Sequence, residues 1–421
     1  MLQHPARRRL LFAAGLLPLC RPLHAAPRQV VVVGGGWGGL AAAAALRRDA
    51  PELAVTLVDR QPAFHSFALS NRWLVDHGAA AAPMRRDYAA IAATRAYRFV
   101  QAEVTEIDRA GQRVLTMAGA LPYDWLVLSP GIREDFSAWQ MDDPAAVNRL
   151  KSRFSGAMLH ASELPDLKAR LHDFTGGDLL MTIPPLPYRC PPAPYERAML
   201  IAGWLEKRRI PGRLIIVDPN PLMPVFRRIL LERFRDRVSY LDHAHVRSVD
   251  LERRSVTTDV DDIRFDMALL SPPQQAAGLL RQAGLLHTDG WARQGMAGMA
   301  AGTLEQPSLV DERIFIIGDA AGVVSPLFGH YPKTGHLASR MGASVAARIA
   351  AQAAGRDSAV HLPDSVCHLL SGIDPDEGTR IETAYRLRGD GFLLQDVRQS
   401  RVPAPAGEDV AWAAARYREF L

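Results

Sequence analysis

Three cysteines occur in the chain, and two of them, Cys190 and Cys367, are placed to carry redox chemistry. Cys190 lies in a segment from residue 183 to residue 197, IPPLPYRCPPAPYER, which contains six prolines. Because proline fixes φ and has no N–H group, this segment is stiff and cannot bind a phosphate through backbone amides. The segment therefore predicts a thiol that is held in one place.

A disulfide between Cys190 and Cys367 would be a two-electron device. A soft nucleophile such as hydrosulfide attacks one sulfur by thiol–disulfide exchange, and this leaves a persulfide and a thiolate. The alternative is a structural cross-link, although a chain of 421 residues has enough core to need none. The chain has no Cys or His spacing typical of a metal site, so none is expected.

Glu196, six residues after Cys190, is the candidate acid–base residue. It would take a proton from hydrogen sulfide or from a thiol if burial raises its pKa. The alternative is a glutamate that the helix dipole favours at a helix N-terminus.

The residues near the N-terminus predict an acceptor for these electrons. Gln29–Val33 predicts a buried strand, Leu40–Arg48 a helix, and Ala54–Val58 a second strand that ends at Asp59. The turn between the first strand and the helix has the pattern G-x-G-x-x-G, at Gly34, Gly36 and Gly39. A strand, this turn, a helix and a following acid together are typical of dinucleotide binding, in which Asp59 would accept from a ribose hydroxyl.

Two later segments favour FAD as the dinucleotide. Residues 123–131 predict a strand that ends in a tight turn at Pro130-Gly131, and residues 313–320 predict a strand that ends in Gly318-Asp319. In flavoproteins with two dinucleotide-binding domains, such segments close the FAD domain, and the aspartate binds the ribityl and pyrophosphate region.

The predicted fold class is therefore α/β, with two Rossmann-like domains and a small C-terminal interface domain. The FAD domain would comprise residues 27–150 and 276–350, interrupted by a second domain at 151–275 and followed by residues 351–421. The second domain should have strands at Leu179–Ile183 and Leu214–Val217 and a helix at Tyr195–Glu206. Its first turn is the proline–cysteine segment, so nicotinamide binding is not expected.

Lys333 and Thr334 precede a predicted alanine-rich helix, Leu337–Ala354. The N-terminus of this helix would face the flavin, and Lys333 would favour the anionic reduced ring. The alternative for Lys333 is a solvated charge at the start of a helix.

Residues 1–26 predict an export signal, with Arg7–Arg9, a short apolar run at Leu10–Leu19 and small residues before Pro27. Ala6–Leu11 resembles a twin-arginine signal, which predicts the periplasm; a Sec signal with incidental arginines is the alternative. The apolar run is about half the length that a membrane span needs, so no stable anchor is expected. The rest of the chain is close to neutral, and its charge gives no reason to expect nucleic-acid binding.

The segment from Cys190 to Arg197, with Leu69-Ser70-Asn71 and Ser365-Val366-Cys367, resembles the flavoprotein subunit of flavocytochrome c sulfide dehydrogenase. The resemblance extends over essentially the whole chain. It implies oxidation of sulfide in the periplasm, a redox disulfide of Cys190 and Cys367, and an acid–base role for Glu196. Electrons would pass from FAD, one at a time, to a c-type haem on a separate cytochrome subunit.

The resemblance also implies further site residues. Trp37, Asn71 and Val104 join the candidate cofactor-binding residues, and Trp412 falls near a tryptophan in the tail of the family. The family commonly links its flavin to a cysteine two residues before Leu-Ser-Asn, and this chain has Phe67 there. We therefore expect FAD that is bound without a covalent link.

Two other functions are compatible with the same residues. Sulfide:quinone oxidoreductase shares the disulfide chemistry, but it needs an apolar C-terminal pair of helices, which Pro403, Pro405 and the charged helix predicted at Glu408–Leu421 argue against. The other is a flavin-binding partner of a sulfur-oxidising complex that has no catalytic activity.

Overall fold

The computed structural model describes residues 26–78, 82–292, 311–325, 328–357, 362–389, 393–405 and 407–421. All of the predicted export signal except Ala26 lies outside the described residues, so the signal stays a prediction.

The first part of the chain contains the predicted strand–turn–helix–strand unit, and its first strand has the predicted bounds. Its elements are β1 (Gln29–Val33), α1 (Trp37–Asp49), β2 (Ala54–Asp59), β3 (Ala63–His65), α2 (Ser70–Leu74), β4 (Arg85–Asp87), α3 (Tyr88–Arg95), β5 (Arg98–Gln101), β6 (Val104–Asp108), β7 (Arg113–Thr116), β8 (Gly119–Pro122), β9 (Trp125–Leu128) and β10 (Ile132–Glu134).

The middle part of the chain alternates strands and helices in the way that a parallel sheet requires. Its elements are α4 (Pro144–Phe154), α5 (Leu164–His172), β11 (Gly177–Thr182), α6 (Ala193–Lys207), β12 (Gly212–Asp218), α7 (Pro224–Arg228), β13 (Val238–Asp242), β14 (Val246–Asp250), β15 (Ser255–Thr258), β16 (Asp262–Arg264), β17 (Met267–Leu269), β18 (Gln274–Ala276) and α8 (Gly278–Gln282).

The last part of the chain returns to the first domain and then forms a separate sheet. Its elements are β19 (Ile314–Ile316), β20 (Val323–Ser325), β21 (Gly329–His330), α9 (Gly335–Ala353), β22 (Ser365–Gly372), β23 (Glu377–Leu387), β24 (Leu393–Pro403) and α10 (Glu408–Tyr417).

Two parallel sheets form the centres of two Rossmann-like domains. The first has the strand order β19-β9-β1-β2-β5, and the second has the order β13-β12-β11-β17. Strand β19 joins the first sheet although the whole second sheet precedes it in the chain. The predicted fold class, with a first domain split by a second, is confirmed.

Helices α1 and α9 pack closely on the first sheet because both are rich in small residues. A Cβ added to Gly342 of α9 would lie only 2.3 Å from the Gly38 carbonyl oxygen of α1. This close contact fixes the N-terminus of α9 relative to the glycine turn at the N-terminus of α1.

The C-terminal region contacts both domains. Its antiparallel sheet, β22-β23-β24, places Cys367 against the apolar core of the second domain. Helix α10 and the residues after it pack Tyr417 and Phe420 into the core of the first domain. Among the described residues, no helix is long and apolar enough to cross a membrane.

Candidate active site

The turn between β1 and α1 contains three glycines of the dinucleotide-binding pattern, and their surroundings differ. Gly34 has a φ of +97°, and a Cβ there would lie 2.2 Å from the Ser129 carbonyl oxygen. A Cβ on Gly39 would lie 1.9 Å from the Gly34 carbonyl oxygen. Gly36 has no protein atom within 4 Å of such a Cβ. The fold therefore explains the first and third glycines, whereas an open surface at Gly36 fits the close approach of a cofactor pyrophosphate.

Asp59 fixes the same turn from the end of β2. Its Oδ2 accepts a hydrogen bond from the Gly35 N–H at 2.7 Å, and its Oδ1 accepts from the Gln61 N–H at 2.8 Å. Burial raises the pKa of this carboxyl, and the two backbone donors oppose that effect. A carboxylate accepts about four hydrogen bonds, so Asp59 keeps acceptor capacity for the predicted ribose hydroxyl.

Other predicted cofactor-binding residues surround this turn. Trp37 begins α1, and its ring lies 5.1 Å from that of Tyr417 and 5.2 Å from that of Phe420. Val104 begins β6 and is half-buried against the core next to β1. The C-terminal tail therefore covers one side of the predicted FAD site.

The segments Pro130-Gly131 and Gly318-Asp319 follow two neighbouring parallel strands, β9 and β19, whose last residues pair in register. The structure thus brings the two predicted closing segments to one edge of the sheet. At this edge Asp319 forms an ion pair with Arg189, whose Nε lies 2.8 Å from Oδ2. The sequence reasoning missed Arg189, although it directly precedes Cys190.

Arg189 lies at the junction of the two domains. In addition to Asp319, it donates to the Leu159 carbonyl oxygen at 3.2 Å, and its guanidinium lies 5.8 Å from the centre of the Phe67 ring. Phe67 is half-buried against the apolar cluster that contains Cys367. The Phe67 ring, at the position for which the resemblance implies a linking cysteine, therefore lies next to the Arg189 guanidinium.

Lys333 is buried, with only 2% of its surface exposed, so the alternative of a solvated charge is wrong. Its Nζ donates to the Ala321 carbonyl oxygen at 2.8 Å and lies 3.9 Å from the centre of the Trp291 ring. Burial lowers the pKa of Lys333 to about 8, while the charges of Asp319 and Asp289 act in the opposite direction.

Thr334 is the N-terminal cap of α9. Its hydroxyl accepts from the Leu337 N–H at 3.2 Å and lies 3.2 Å from the Ser365 hydroxyl, two residues before Cys367. The cap places the free N–H groups of this helix end next to the strand that holds Cys367.

Cys190 has a φ of +53°, in the left-handed region that non-glycine residues seldom adopt. Its N–H donates to the Lys333 carbonyl oxygen at 2.8 Å, and its carbonyl oxygen accepts from the Ala193 N–H at 2.8 Å. These two bonds hold the strained residue in place, which is the condition under which such strain persists.

The structure brings Cys190 and Cys367 together from opposite parts of the chain. Both are free thiols and both are partly exposed, and the Cys190 side chain lies close enough to Cys367 to shift its pKa. The neighbouring Cys190 side chain raises the pKa of Cys367 well above its usual value, and burial adds to this effect. The structure thus places both thiols at one site, and their pairing as a redox disulfide stays a prediction.

Glu196 lies beside this pair, and its charge also raises the pKa of Cys367. Its Oε1 accepts from the Leu370 N–H at 2.8 Å, and its Oε2 accepts from the Asn71 side chain at 2.7 Å. Burial raises the pKa of Glu196, as an acid–base role requires.

Asn71 organises this acid from helix α2. Besides Glu196, its amide donates to the Ala193 carbonyl oxygen at 3.0 Å, and its Oδ1 accepts from Arg197 Nε at 2.9 Å. Both amide hydrogens are therefore used within the protein, and the predicted contact of Asn71 with the cofactor stays a prediction. Burial lowers the pKa of Arg197 to about 10. Arg197 also belongs to the site, and the only sequence signal for it was its position directly after Glu196.

The tail approaches the same region from the other side. The Trp412 ring lies 5.2 Å from the His336 ring of α9 and 5.3 Å from the His368 ring, next to Cys367. His336 is buried, and its Nδ1 accepts from the Val366 N–H at 2.9 Å. This contact fixes the strand that carries Cys367 against α9.

Residues 166–272 match the family model described as the central part of the sulfide dehydrogenase (flavocytochrome c) flavoprotein chain. The predicted resemblance is confirmed. Residues 28–144 match the family model of pyridine nucleotide-disulphide oxidoreductases. The first match covers the cysteine segment and Glu196, and the second covers the glycine turn and Asp59.

Solved structures with the same fold include three oxidoreductases. The sulfide:quinone oxidoreductase of Aquifex aeolicus is 18% identical, with a TM-score of 0.72 over 92% of this chain and 90% of its own. The putidaredoxin reductase in its covalent complex with putidaredoxin is 18% identical, with a TM-score of 0.64 over 94% of each chain. An NAD-dependent persulfide reductase from A. fulgidus is 14% identical, with a TM-score of 0.57 over 93% of this chain and 77% of its own. At these identities the likeness shows the fold.

The matched families and the open turn at Gly36 together support FAD as the cofactor of the first domain. They also support an oxidoreductase that acts on sulfide.

Proposed function

We propose that this protein is an FAD-dependent sulfide dehydrogenase in which Cys190 and Cys367 are the redox-active pair. The observation that carries the proposal is the proximity of the two thiols at one site, where Glu196 accepts a hydrogen bond from the Leu370 N–H of the strand that holds Cys367. The two cysteines are 177 positions apart in the chain, and a partly exposed pair at a domain junction is accessible to a small anion.

The catalytic cycle starts from the disulfide. Hydrosulfide attacks one cysteine sulfur, the sulfur–sulfur bond breaks, and the products are a persulfide on that cysteine and a thiolate on the other. A second hydrosulfide removes the outer sulfur as hydrodisulfide and leaves a thiol. When the thiol and the thiolate re-form the disulfide, two electrons and one proton are released. FAD, when bound, supplies the acceptor for both.

Glu196 is the residue that accepts and returns protons during this cycle. It takes a proton from hydrogen sulfide or from a cysteine thiol. Burial raises the pKa of Glu196, which brings it closer to the pKa values of these groups than the pKa of an exposed carboxyl is. Asn71 and the Leu370 N–H hold both of its oxygens, which fixes the direction of the carboxyl.

The first domain would hold FAD through several groups. Gly36 and the N-terminus of α1 would face its pyrophosphate, Asp59 its adenosine ribose, and Asp319 its ribityl chain. Lys333 and the N-terminus of α9 would favour negative charge on the reduced ring. With Phe67 at the family's linking position, the FAD is bound without a covalent link.

We also propose a c-type cytochrome subunit as the electron acceptor and the periplasm as the location. The family description names a flavocytochrome, and the twin-arginine resemblance of residues 6–11 supports export of a folded, cofactor-loaded protein. The fold likeness to a sulfide:quinone oxidoreductase makes quinone the second candidate acceptor. Turnover of the purified protein with sulfide and either a c-type cytochrome or a soluble quinone analogue separates the two, and turnover with the quinone alone would contradict the cytochrome proposal.

Stopped-flow mixing with sulfide in the absence of oxygen tests the central proposal. The flavin absorbance of the wild-type protein should bleach, and Cys190→Ser or Cys367→Ser should abolish the bleaching while leaving FAD bound. Ser152→Ala, at an exposed serine of α4, is the control and should bleach at the wild-type rate. Bleaching of either cysteine variant at the wild-type rate would contradict the mechanism, and no bleaching of the wild type would favour the flavin-binding partner without activity.

A further inference from the structure

Asp218, the last residue of β12, is completely buried and accepts four hydrogen bonds. The hydroxyls of Tyr195 and Tyr240 donate to its Oδ2 at 2.6 Å and 2.5 Å. The backbone N–H and the side-chain amide of Asn220 both donate to its Oδ1 at 2.8 Å. A buried carboxyl is costly unless its oxygens are hydrogen-bonded, and here both of them are.

Asp218 is at the position in the second domain where a dinucleotide-binding domain has its ribose-binding acid. In a Rossmann-like domain that binds a dinucleotide, an acid after the second strand binds the ribose at the open edge of the sheet, as predicted here for Asp59. Asp218 ends the corresponding strand of the second domain, since β12 follows β11 and α6. Because Asp218 has no exposed surface and four donors within the protein, its carboxyl binds protein groups and not a ribose.

Through Asn220, Asp218 is linked to the segment that carries Cys190. Asn220 donates to the Pro184 carbonyl oxygen at 2.9 Å and accepts from the Leu186 N–H at 2.9 Å. Thus the amide that Asp218 orients fixes the start of the segment at two points.

The end of the segment is fixed from the same carboxyl. Tyr195 lies in the first turn of α6, directly before Glu196. The Tyr188 hydroxyl closes the segment on itself by donating to the Pro191 carbonyl oxygen at 2.9 Å. Cys190 lies between these fixed points, in its left-handed conformation and bonded to Lys333.

We infer that Asp218 is a positioning residue that acts through Asn220 and Tyr195 to hold Cys190 beside Cys367. It thereby sets the equilibrium of this pair between the dithiol and the disulfide. When Cys190 is held near Cys367, the effective concentration of one thiol at the other is high, and this favours the disulfide. A looser segment lowers that concentration and favours the dithiol. The inference rests on the proposed function, because it assigns Asp218 a role in the redox pair of that function.

The test measures the disulfide fraction of the FAD-loaded protein in mixtures of reduced and oxidised dithiothreitol. Samples are quenched with acid, alkylated and analysed by mass spectrometry. In Asp218→Asn, which keeps the shape of the side chain, the equilibrium constant should shift at least tenfold toward the dithiol, or about 30 mV for a two-electron couple. The control Asp242→Asn changes an exposed aspartate at the end of the neighbouring strand β13 and should match the wild type.

Two further variants keep the test decisive if Asp218→Asn fails to fold. Asn220→Ala removes the contacts to Pro184 and Leu186. Tyr240→Phe removes one donor to Asp218 that does not itself belong to the segment. Both should shift the equilibrium in the same direction, the first by more than the second. Wild-type equilibria in all of the folded variants would overturn the inference.

Failure of the proposed function has a different signature. In that case the wild-type protein forms no Cys190–Cys367 disulfide in any mixture. The alkylation rate of Cys190 in the dithiol protein then tests the positioning role on its own: a faster rate in Asp218→Asn than in Asp242→Asn supports it, and equal rates contradict it.

Discussion

The N–H of Cys190 donates a hydrogen bond to the carbonyl oxygen of Lys333, at 2.8 Å. The bond joins the proline-rich segment of the second domain to the residue before the N-terminal cap of α9 in the first. Because the bond involves only backbone atoms, it fixes the position of Cys190 relative to the buried Lys333 without depending on either side chain. Variants of these side chains should therefore change the chemistry more than the fold.

The first prediction concerns the reactivity of Cys367 in the reduced protein. Because the neighbouring Cys190 side chain and burial raise the pKa of Cys367, little of it is thiolate at pH 8. Iodoacetamide should alkylate Cys367 more slowly than an exposed peptide cysteine at pH 8, and the rate should still be rising above pH 9. In Cys190→Ala, which removes the largest cause of the shift, alkylation at pH 8 should become several-fold faster. An unchanged rate would contradict the proposed contact.

The second prediction concerns the pH dependence of flavin reduction. Glu196 accepts protons only when ionised, and burial raises its pKa, so the rate should fall as the pH drops through that raised value. In Glu196→Gln the rate should be roughly 100-fold lower and lose this dependence. Stopped-flow measurements from pH 5 to pH 9 check it. Glu206→Gln, at the exposed end of the same helix, is the control, and a Glu196→Gln profile parallel to that of the control would exclude the acid–base role.

The third prediction concerns the ion pair between the domains. Arg189 and Asp319 are 26% and 11% exposed, so Arg189→Met leaves a largely buried carboxyl without its partner. We expect a loss of about 1–3 kcal/mol in the free energy of unfolding, seen as a lower thermal midpoint of the FAD-loaded protein. Arg213→Met removes a surface pair with Asp178 and should cost at most about 1 kcal/mol. Equal effects of the two variants would show that Arg189 contributes no more than a surface charge.

The fourth prediction concerns the charge of Lys333. Lys333→Met should make the flavin reduction potential more negative by about 30 mV or more, because the anionic reduced ring loses a nearby cation. Since burial lowers the pKa of Lys333 to about 8, the difference from the wild type should be full at pH 7 and shrink above pH 8. Lys207→Met, at the end of α6, is the control. A constant difference across this range would argue against an effect of the charge.

The fifth prediction concerns the attachment of FAD. Since Phe67 has no group that can bond to the flavin, acid precipitation should release all of the yellow colour into the supernatant. Mass spectrometry of the precipitated chain should give the mass of the polypeptide alone. A yellow precipitate would show a covalent link at another residue.

Local sequence patterns predicted the elements of the fold well. The β-branched run at Gln29–Val33 and the glycine turn after it specify their structure through their own sterics and burial, and β1 has the predicted bounds. Helix α1 begins three residues earlier than predicted because the glycines of the turn already form its first turn. Elements of this kind depend on neighbours in the sequence.

The contacts that build the site depend on residues far apart, and for these the sequence was informative only through the family motif. Asn71 and Glu196 are 125 positions apart, and Arg189 and Asp319 are 130 apart. No period or spacing indicates such pairs. The burial of Lys333 could not be predicted from sequence for the same reason, because Lys333 contacts Trp291 and Ala321 and these are distant from the start of α9 in the chain.

The split of the first sheet has a consequence for biosynthesis. Strand β19, residues 314–316, forms one edge of the sheet that begins with Gln29. During translation the sheet therefore stays unfinished until the ribosome has made the whole second domain, which can fold earlier as a unit. Asp319, Lys333 and the α9 terminus emerge later still. If these residues hold FAD as proposed, cofactor loading is one of the last steps of maturation, after nearly the entire polypeptide has left the ribosome.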